Sequence, residues 1–212
     1  MDKHDVAAAP PAVAEHDAAA ARPSVGSPVV GVLALQGDFE AHARLLATLG
    51  ADAREVRVPA ELEGLDGLII PGGESTVMTL GIEREGLARP LQRFAASGAP
   101  VLGTCAGMIM LDRDHLAVLD IRTERNAFGR QLRSFEAELD FDRLSGGPVH
   151  AVFIRAPWVA EYADDVEVLA SVDGHPVAVR QGNVAAVAFH PELSGETRLH
   201  ALLLGLGAPA DG

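Results

Sequence analysis

The chain has 212 residues, with 17 Lys or Arg against 30 Asp or Glu, so its formal net charge at pH 7 is −13. This acidity argues against a nucleic-acid-binding protein, which needs cationic side chains to neutralise phosphates, and against docking on an anionic membrane surface. The single cysteine, Cys105, excludes an intrachain disulfide and a zinc site built from several cysteines, and it fits a reducing, cytoplasmic setting.

Residues 1–28 differ in composition from the rest of the chain. They are mostly Ala, Pro, Asp, His and Val, and they show neither a helical nor a strand period. Such a segment buries too little apolar surface to offset the entropy that it would lose on ordering. We therefore expect a disordered tail over residues 1–28 and one folded domain over residues 29–212. The alternative is that translation begins later, near Val25 or Val29.

The first half of the predicted domain alternates strands and helices. A continuous apolar run at residues 29–35 is typical of a strand buried on both faces of a sheet, and an apolar run at residues 65–70 and a short one at residues 99–102 predict two more strands. Apolar residues recur near helical spacing at residues 39–49 and 87–98, each segment closing at a glycine. This alternation predicts an α/β domain with a parallel sheet.

The second half is richer in predicted strands. They lie at residues 135–141, 149–154, 166–172, 176–180 and 183–189. Asp173-Gly174 and Gln181-Gly182 separate the last three, as turns between antiparallel strands do. A final helix is predicted at about residues 194–206, with Ser194 as its cap and Glu196 in its first turn.

Cys105 lies between two glycines, in the pattern Gly-x-Cys-x-Gly at residues 103–107. The pattern follows a predicted strand and precedes an apolar stretch, so it matches the strand–turn–helix elbow that exposes a nucleophile. Side chains in place of the glycines would collide at so sharp a turn, and the start of the following helix stabilises a thiolate. A buried structural cysteine is the alternative.

A thiol nucleophile needs a base, and the base needs a group that fixes its tautomer. His190 follows an apolar strand and precedes Pro191-Glu192. Residues two apart in an extended segment point the same way, so Glu192 is expected to accept a hydrogen bond from the His190 ring. A plain turn at the strand end is the alternative. Two other histidines, His42 and His200, lie on predicted helices, where a solvated or packed role is expected.

The sequence Pro71-Gly72-Gly73-Glu74-Ser75 joins a predicted strand to a helix. Adjacent glycines let the backbone approach a ligand closely. The N–H groups of Gly73 and of Ala106, which follows the cysteine, are candidates for an oxyanion hole. An ordinary turn is the alternative, and a phosphate-binding loop is disfavoured because no lysine follows.

Six stretches, taken together and in this order, resemble a known family. They are residues 30–37, 71–76, 103–107, 125–131, 153–157 and 189–193. On these stretches the chain resembles the glutaminase subunits of pyridoxal 5′-phosphate synthases, a family of class I (triad-type) glutamine amidotransferases, over about residues 29–206. Residues 125–131 and 153–157 are more specific to this family than the triad pattern, which marks the whole superfamily.

The resemblance implies a flavodoxin-like α/β fold, a three-layer sandwich whose central sheet is mostly parallel, with antiparallel strands in the second half. It implies hydrolysis of L-glutamine to L-glutamate and ammonia, with no metal and no organic cofactor. It also implies a hetero-oligomer with a barrel-shaped synthase subunit, which receives the ammonia and builds pyridoxal 5′-phosphate (vitamin B6) from a pentose phosphate and a triose phosphate.

Carried over by position, the resemblance implies that Cys105 is the nucleophile, His190 the base and Glu192 its orienting group. It also implies a set of positions that contact glutamine: Gly72, Gly73, Glu74, Arg125, Ile154 and Arg155. Arg125 or Arg155 would balance the α-carboxylate of glutamine, and Glu74 its α-ammonium. For any single arginine, the alternative is a surface charge with little energetic effect.

The chain departs from the family in a short connection at residues 111–120, where the family usually has several more residues. We expect this difference to affect the docking of the synthase or the placement of Arg125, and not the triad. Two alternatives to the glutaminase subunit stay open. One is another triad amidotransferase or a γ-glutamyl hydrolase of the same fold, and the other is a non-catalytic binding subunit that has kept the elbow.

Overall fold

A computed structural model describes residues 26–125, 127, 134–141 and 144–205. The predicted tail, up to residue 25, lies outside the described residues. So do residues 126 and 128–131 of the family-specific stretch and the end of the predicted last helix at residue 206.

Strands and helices alternate up to the predicted nucleophile, and strands dominate after it. The first elements are β1 (Val29–Leu33), α1 (Phe39–Thr48), β2 (Asp52–Val56), a 3₁₀ turn (Pro59–Leu62), β3 (Gly67–Ile70), α2 (Ser75–Arg84), α3 (Ala88–Ala96), β4 (Val101–Thr104) and α4 (Ala106–Leu111). The later strands are β5 (Ile121–Glu124), β6 (Ser134–Leu139), β7 (Val149–Ile154), β8 (Trp158–Tyr162), β9 (Glu167–Val172), β10 (His175–Gln181) and β11 (Val184–Val187). The last helices are α5 (Pro191–Ser194) and α6 (Thr197–Leu203).

Seven strands form the central sheet, in the order β2-β1-β3-β4-β11-β10-β9. The pairs from β2 to β11 are parallel, and the pairs of β10 with β11 and with β9 are antiparallel. Two further antiparallel pairs, β5 with β8 and β6 with β7, lie outside this sheet. This arrangement confirms the predicted α/β class, with a mostly parallel sheet and antiparallel strands in the second half.

The central strands are covered on both faces. Every residue of β3, β4 and β11 is buried, as expected for parallel strands that have helices on both sides. Phe153 of β7 and Phe189 are among the largest fully buried side chains, and their ring centroids are 5.5 Å apart. This contact anchors β7 against the segment that leads to His190. None of the helices in the described ranges is both long and apolar enough to cross a membrane.

The prediction of one continuous last helix was wrong. Gly195 interrupts it with a left-handed φ of 69°, so Ser194 ends α5 instead of capping the long helix. The cap of α6 is Glu196, whose carboxylate accepts the N–H of Arg198 at 2.8 Å and also pairs with the guanidinium of that residue. An acidic side chain at a helix start is favourable because it faces unpaired N–H groups.

Candidate active site

The predicted site residues meet at the carboxyl ends of the central strands. The Gly72–Gly73 turn follows β3, Cys105 follows β4, and His190 follows β11. The parallel register pairs Thr104 with Val187 in these neighbouring strands, and the N–H of Cys105 donates to the carbonyl of Val187 at 2.8 Å. In open α/β sheets this edge is the usual place for ligands.

Cys105 occupies a sharp turn between β4 and α4. Its φ is 48° and its ψ is −108°, a strained conformation for a residue with a side chain. A Cβ at Gly103 would lie 2.8 Å from the carbonyl carbon of Gly107, and one at Gly107 would lie 1.9 Å from the carbonyl oxygen of Ile70. The turn therefore requires both glycines, as the elbow pattern predicted.

His190 and Glu192 are joined by a short hydrogen bond, 2.6 Å from Nδ1 to Oε1, and the His190 ring also interacts with the thiol of Cys105. The predicted contact is present, but the reason given for it was wrong. His190 is the N-cap of α5 and Glu192 lies in the first turn of that helix, so the segment is not extended. Pro191 suits the first helical position because its fixed φ matches the helix.

Burial disfavours the charged forms of His190 and Glu192, but each charge stabilises the other. Burial lowers the pKa of His190, but its hydrogen bonds and charge interactions with Cys105 and Glu192 outweigh that effect and raise it to about 10. Burial likewise raises the pKa of Glu192, but the hydrogen bond from His190 and the charge of that ring outweigh it and lower the pKa overall. At neutral pH this environment favours an imidazolium between a thiol and an ionised carboxylate.

The Gly72–Gly73 turn packs closely against its neighbours. A Cβ at Gly72 would lie 2.6 Å from Cε1 of His190 and 3.3 Å from Cβ of Cys105. On the other side, a Cβ at Gly37 would lie 1.7 Å from the carbonyl oxygen of Gly72. The glycines thus let three backbone segments meet beside the thiol and the imidazole, and Ala106 begins α4 next to them.

Three of the predicted glutamine-contacting residues lie on segments next to this centre. Ile154 ends β7, and its carbonyl oxygen lies 3.9 Å from Sγ of Cys105. Arg155 follows with a positive φ of 46° and an exposed side chain. Glu74 caps α2, where its carboxylate accepts the N–H groups of Thr76 and Val77 at 3.1 and 3.0 Å. These two hydrogen bonds, and to a smaller extent the charge of Arg125, lower the pKa of Glu74.

Arg125, just after β5, is held by the short connection that follows α4. Buried Asp112 accepts a hydrogen bond from Nδ1 of His115 at 2.7 Å and another from the hydroxyl of Thr123 at 2.5 Å. With its proton on Nδ1, His115 presents the lone pair of Nε2, which accepts from Nη2 of Arg125 at 3.2 Å. This chain of contacts was not predicted from the sequence. The spacing of Asp112 and His115, three residues apart, was the signal that could have indicated their contact.

Two histidines pack behind Glu192. His42 of α1 and His200 of α6 are fully buried, and Nδ1 of the first lies 2.9 Å from Nε2 of the second. Nε2 of His42 lies 3.5 Å from Oε2 of Glu192 and 3.3 Å from the hydroxyl oxygen of Thr104. Of the two roles expected for these histidines, the packed one is correct. The signal for His42 was its place on the apolar face of α1 between Phe39 and Leu46.

Within the described ranges, no group of three or more His, Cys, Asp or Glu side chains is placed to hold a metal ion. The centre consists of a thiol that interacts with an imidazole, which in turn is hydrogen-bonded to a carboxylate. This is the arrangement of nucleophilic catalysis with acid–base support.

The chain is similar to known proteins over most of its length. The model of the SNO glutamine amidotransferase family matches residues 32–205. The pyridoxal 5′-phosphate synthase subunit PdxT of Mycobacteroides abscessus is 52% identical over 189 residues, which are 85% of this chain and 97% of that protein. The protein of the same name from Frankia alni is 50% identical, over 86% of this chain and 96% of that protein.

A solved structure gives the same result at the level of the fold. A crystal structure of a glutamine amidotransferase is 46% identical to this chain, has a TM-score of 0.78, and covers 84% of this chain and 99% of its own. The family model takes in the elbow, the Gly72–Gly73 turn and the His190–Glu192 pair. The chain therefore belongs to the SNO glutamine amidotransferase family, as its sequence resemblance predicted.

Proposed function

We propose that the chain hydrolyses L-glutamine to L-glutamate and ammonia, and that it supplies the ammonia to a synthase subunit that makes pyridoxal 5′-phosphate. The observation that carries the proposal is that Cys105, at a strained elbow, contacts His190, which in turn contacts Glu192, in a member of this family. The names of the relatives from Mycobacteroides abscessus and Frankia alni support the synthase as partner. A cytoplasmic location suits the free thiol, and the proposed glutaminase domain is residues 29–212.

In the proposed first half-reaction, the Cys105 thiolate attacks the side-chain amide carbon of glutamine. A sulfur–carbon bond forms while the carbonyl electron pair moves to oxygen, where the N–H groups of Gly73 and Ala106 stabilise the charge. The His190 imidazolium then protonates the amide nitrogen. The carbon–nitrogen bond breaks with its electron pair on nitrogen, and ammonia leaves behind a γ-glutamyl thioester.

In the second half-reaction, neutral His190 takes a proton from a water molecule as the water oxygen attacks the thioester carbon. The carbon–sulfur bond breaks, which releases glutamate and restores the thiolate. Glu192 accepts the Nδ1–H of His190 throughout, so Nε2 faces the reacting atoms. These steps use only side chains, backbone N–H groups and water.

The proposed glutamine contacts follow from charge. The guanidinium groups of Arg125 and Arg155 would balance the α-carboxylate. Glu74 would balance the α-ammonium, and hydrogen bonds from the start of α2 lower its pKa, which favours the ionised form that this role needs. Gly72, Gly73 and Ile154 would place backbone groups next to the amide that is cleaved.

Gly72→Ala is expected to lower kcat for glutamine hydrolysis roughly 10²-fold, because the added Cβ would displace the His190 ring from 2.6 Å away. Steady-state kinetics with the synthase present measure this effect. Gly67→Ala is the matched control, since its Cβ would meet atoms only at ordinary distances of 3.4 Å or more. Equal losses in the two variants would contradict the expected displacement.

His115→Ala is expected to raise KM for glutamine about 5-fold with little change in kcat, because Arg125 loses the acceptor that orients its guanidinium. Initial rates over a range of glutamine concentrations separate the two constants. His150→Ala, which removes an exposed histidine paired with Glu138, should change neither. A fall in kcat at constant KM would show that His115 acts on the chemical step instead.

The central experiment measures ammonia release from glutamine by the purified chain with and without the pyridoxal 5′-phosphate synthase subunit. We expect release that this partner stimulates. A γ-glutamyl hydrolase would instead cleave γ-glutamyl peptides without it, and another triad amidotransferase would respond to a different synthase. A non-catalytic subunit would release no ammonia, and an electrophilic glutamine analogue would not label its Cys105.

A further inference from the structure

One carboxylate oxygen of Glu192 is buried without a hydrogen-bond partner in the described part of the chain. Oε1 accepts the Nδ1–H of His190, whereas no donor reaches Oε2 within hydrogen-bond distance. An unpaired oxygen on a buried, ionised carboxylate is unfavourable, so this atom calls for a donor. The ring nitrogen Nε2 of His42 lies 3.5 Å from it, which is longer than an ordinary N–H···O hydrogen bond.

We propose that His42 is a positioning residue for the triad: its Nε2–H supports Oε2 of Glu192, and this contact fixes the orientation of the carboxylate and of the His190 ring. The inference rests on the proposed function, because it takes Glu192 as the group that orients the base. His42 itself is fully buried, so it acts through its neighbours and not directly on the substrate.

The protonation of the two packed histidines can be worked out from their partners. Burial lowers the pKa of His42, against the charge of Glu192, and lowers the pKa of His200 to about 3. Both rings are therefore neutral near pH 7, and each carries one N–H. Because their nitrogens are 2.9 Å apart, one ring donates to the other, which leaves two arrangements.

In the first arrangement, His200 donates from Nδ1 to the carbonyl of Glu196 at 3.3 Å, and His42 donates from Nδ1 to His200. This turns the lone pair of His42 Nε2 toward the charged Oε2. In the second, His200 donates from Nε2 to His42, and the Nε2–H of His42 points at Oε2. The second gives up the long, neutral contact with the carbonyl of Glu196, and it turns an N–H instead of a lone pair toward the carboxylate oxygen 3.5 Å away. A lone pair that faces an ionised carboxylate is electrostatically unfavourable, so the second arrangement is favoured.

Thr104 connects the same histidine to the Gly72–Gly73 turn. Its hydroxyl oxygen lies 3.3 Å from Nε2 of His42 and accepts the N–H of Gly72 at 3.1 Å. A hydroxyl oxygen has two lone pairs, so that of Thr104 can accept from Gly72 and share the single Nε2–H of His42 with Oε2 of Glu192. His42 is thus close to the carboxylate that orients the base, and it is linked through Thr104 to the turn that carries the proposed oxyanion site.

Two amide side chains test the proposal because they place a donor differently. Glutamine at position 42 can put its amide nitrogen where Nε2 of the imidazole lies, whereas asparagine reaches only the Nδ1 position. We expect His42→Asn to lower kcat for glutamine hydrolysis about 10-fold with KM within about 2-fold of the original, and His42→Gln to keep at least half of kcat. The assays use the full chain with its synthase partner, and melting temperatures establish that each variant is folded.

Alkylation of Cys105 by iodoacetamide gives a second readout that does not depend on glutamine hydrolysis, because the chain has a single cysteine. His42→Asn should slow alkylation near neutral pH and shift its rate-versus-pH profile, while His42→Gln should follow the original chain. If His42→Asn retains both the original kcat and the original profile, the proposal is wrong. If no chain releases ammonia but the alkylation profiles differ as described, the proposed function fails and the role of His42 stands.

A second pair of variants covers the case in which His42→Asn does not fold. His200→Gln keeps a donor for Nδ1 of His42, whereas His200→Leu removes it. We expect kcat to fall several-fold in His200→Leu and to be largely kept in His200→Gln. Equal kcat values in these two folded variants would overturn the proposed donor arrangement.

Discussion

Cys105→Ala is expected to abolish ammonia release from glutamine, with kcat at least about 10⁴-fold lower. No other thiol can replace the lost nucleophile, because Cys105 is the single cysteine of the chain. Without a nucleophile the γ-glutamyl thioester cannot form, and the His190–Glu192 pair has no acyl group to transfer to water. A coupled assay for glutamate, with the synthase present, measures the loss.

The control for this variant is its affinity for the synthase subunit, measured together with its melting temperature. Alanine removes only the sulfur and adopts the same backbone angles under the same strain, so the chain should keep its melting temperature and its affinity for the synthase subunit. Calorimetric titration of the variant with that subunit measures the affinity. Glutaminase activity within tenfold of the original chain would show that another group attacks glutamine, and would overturn the mechanism.

Glu192→Gln is expected to lower kcat about 10³-fold. The amide fills the same buried space, and its oxygen can still accept the Nδ1–H of His190, but it brings no negative charge. The imidazolium that protonates the leaving ammonia is then less stable. The amide can also turn its N–H₂ group toward Nδ1, so it fixes the tautomer of the ring less firmly than a carboxylate. Glu138→Gln is the matched control, because Glu138 contacts the exposed His150 and should not affect kcat.

In Glu192→Gln, the fall of kcat/KM at alkaline pH should begin at a lower pH than in the original chain. In the original chain, interactions with Cys105 and Glu192 outweigh burial and raise the pKa of His190 to about 10, so the imidazolium persists below that pH. Loss of the Glu192 charge lowers the pKa of His190, and the proton is then lost at a lower pH. The alkaline limb of kcat/KM should therefore move toward neutral pH. An unchanged alkaline limb would contradict the role of Glu192 as the charge partner of His190.

The buried half of the fold was predictable from the sequence, and the exposed strands were not. β1, β3, β4 and β11 are continuous apolar runs because helices cover both faces of the sheet. β2 was missed because four of its five residues are exposed at the sheet edge and carry no apolar period. β5 and β8 were missed for a similar reason, since among the described strands they pair only with each other, and more than half of their residues are exposed.

In the candidate site, short-range features were predictable and long-range packing was not. The elbow is indicated by two glycines, at which any side chain would collide with neighbouring backbone atoms. His190 and Glu192 are only two residues apart in the sequence. The His42–His200 contact depends instead on how α1 and α6 meet behind α5. A neutral histidine on the apolar face of a helix gives the same sequence signal as any other core residue. Its place behind Glu192 therefore emerges only from the folded chain.

The neighbouring parallel strands β4 and β11 have a consequence for how the family can diversify. The hydrogen bond from Cys105 to the carbonyl of Val187 ties the two strand ends together, whatever the lengths of the loops between them. Insertions and deletions in that intervening stretch, such as the short connection at residues 111–120, can therefore reshape the outer surface while the thiol and the imidazole stay in place.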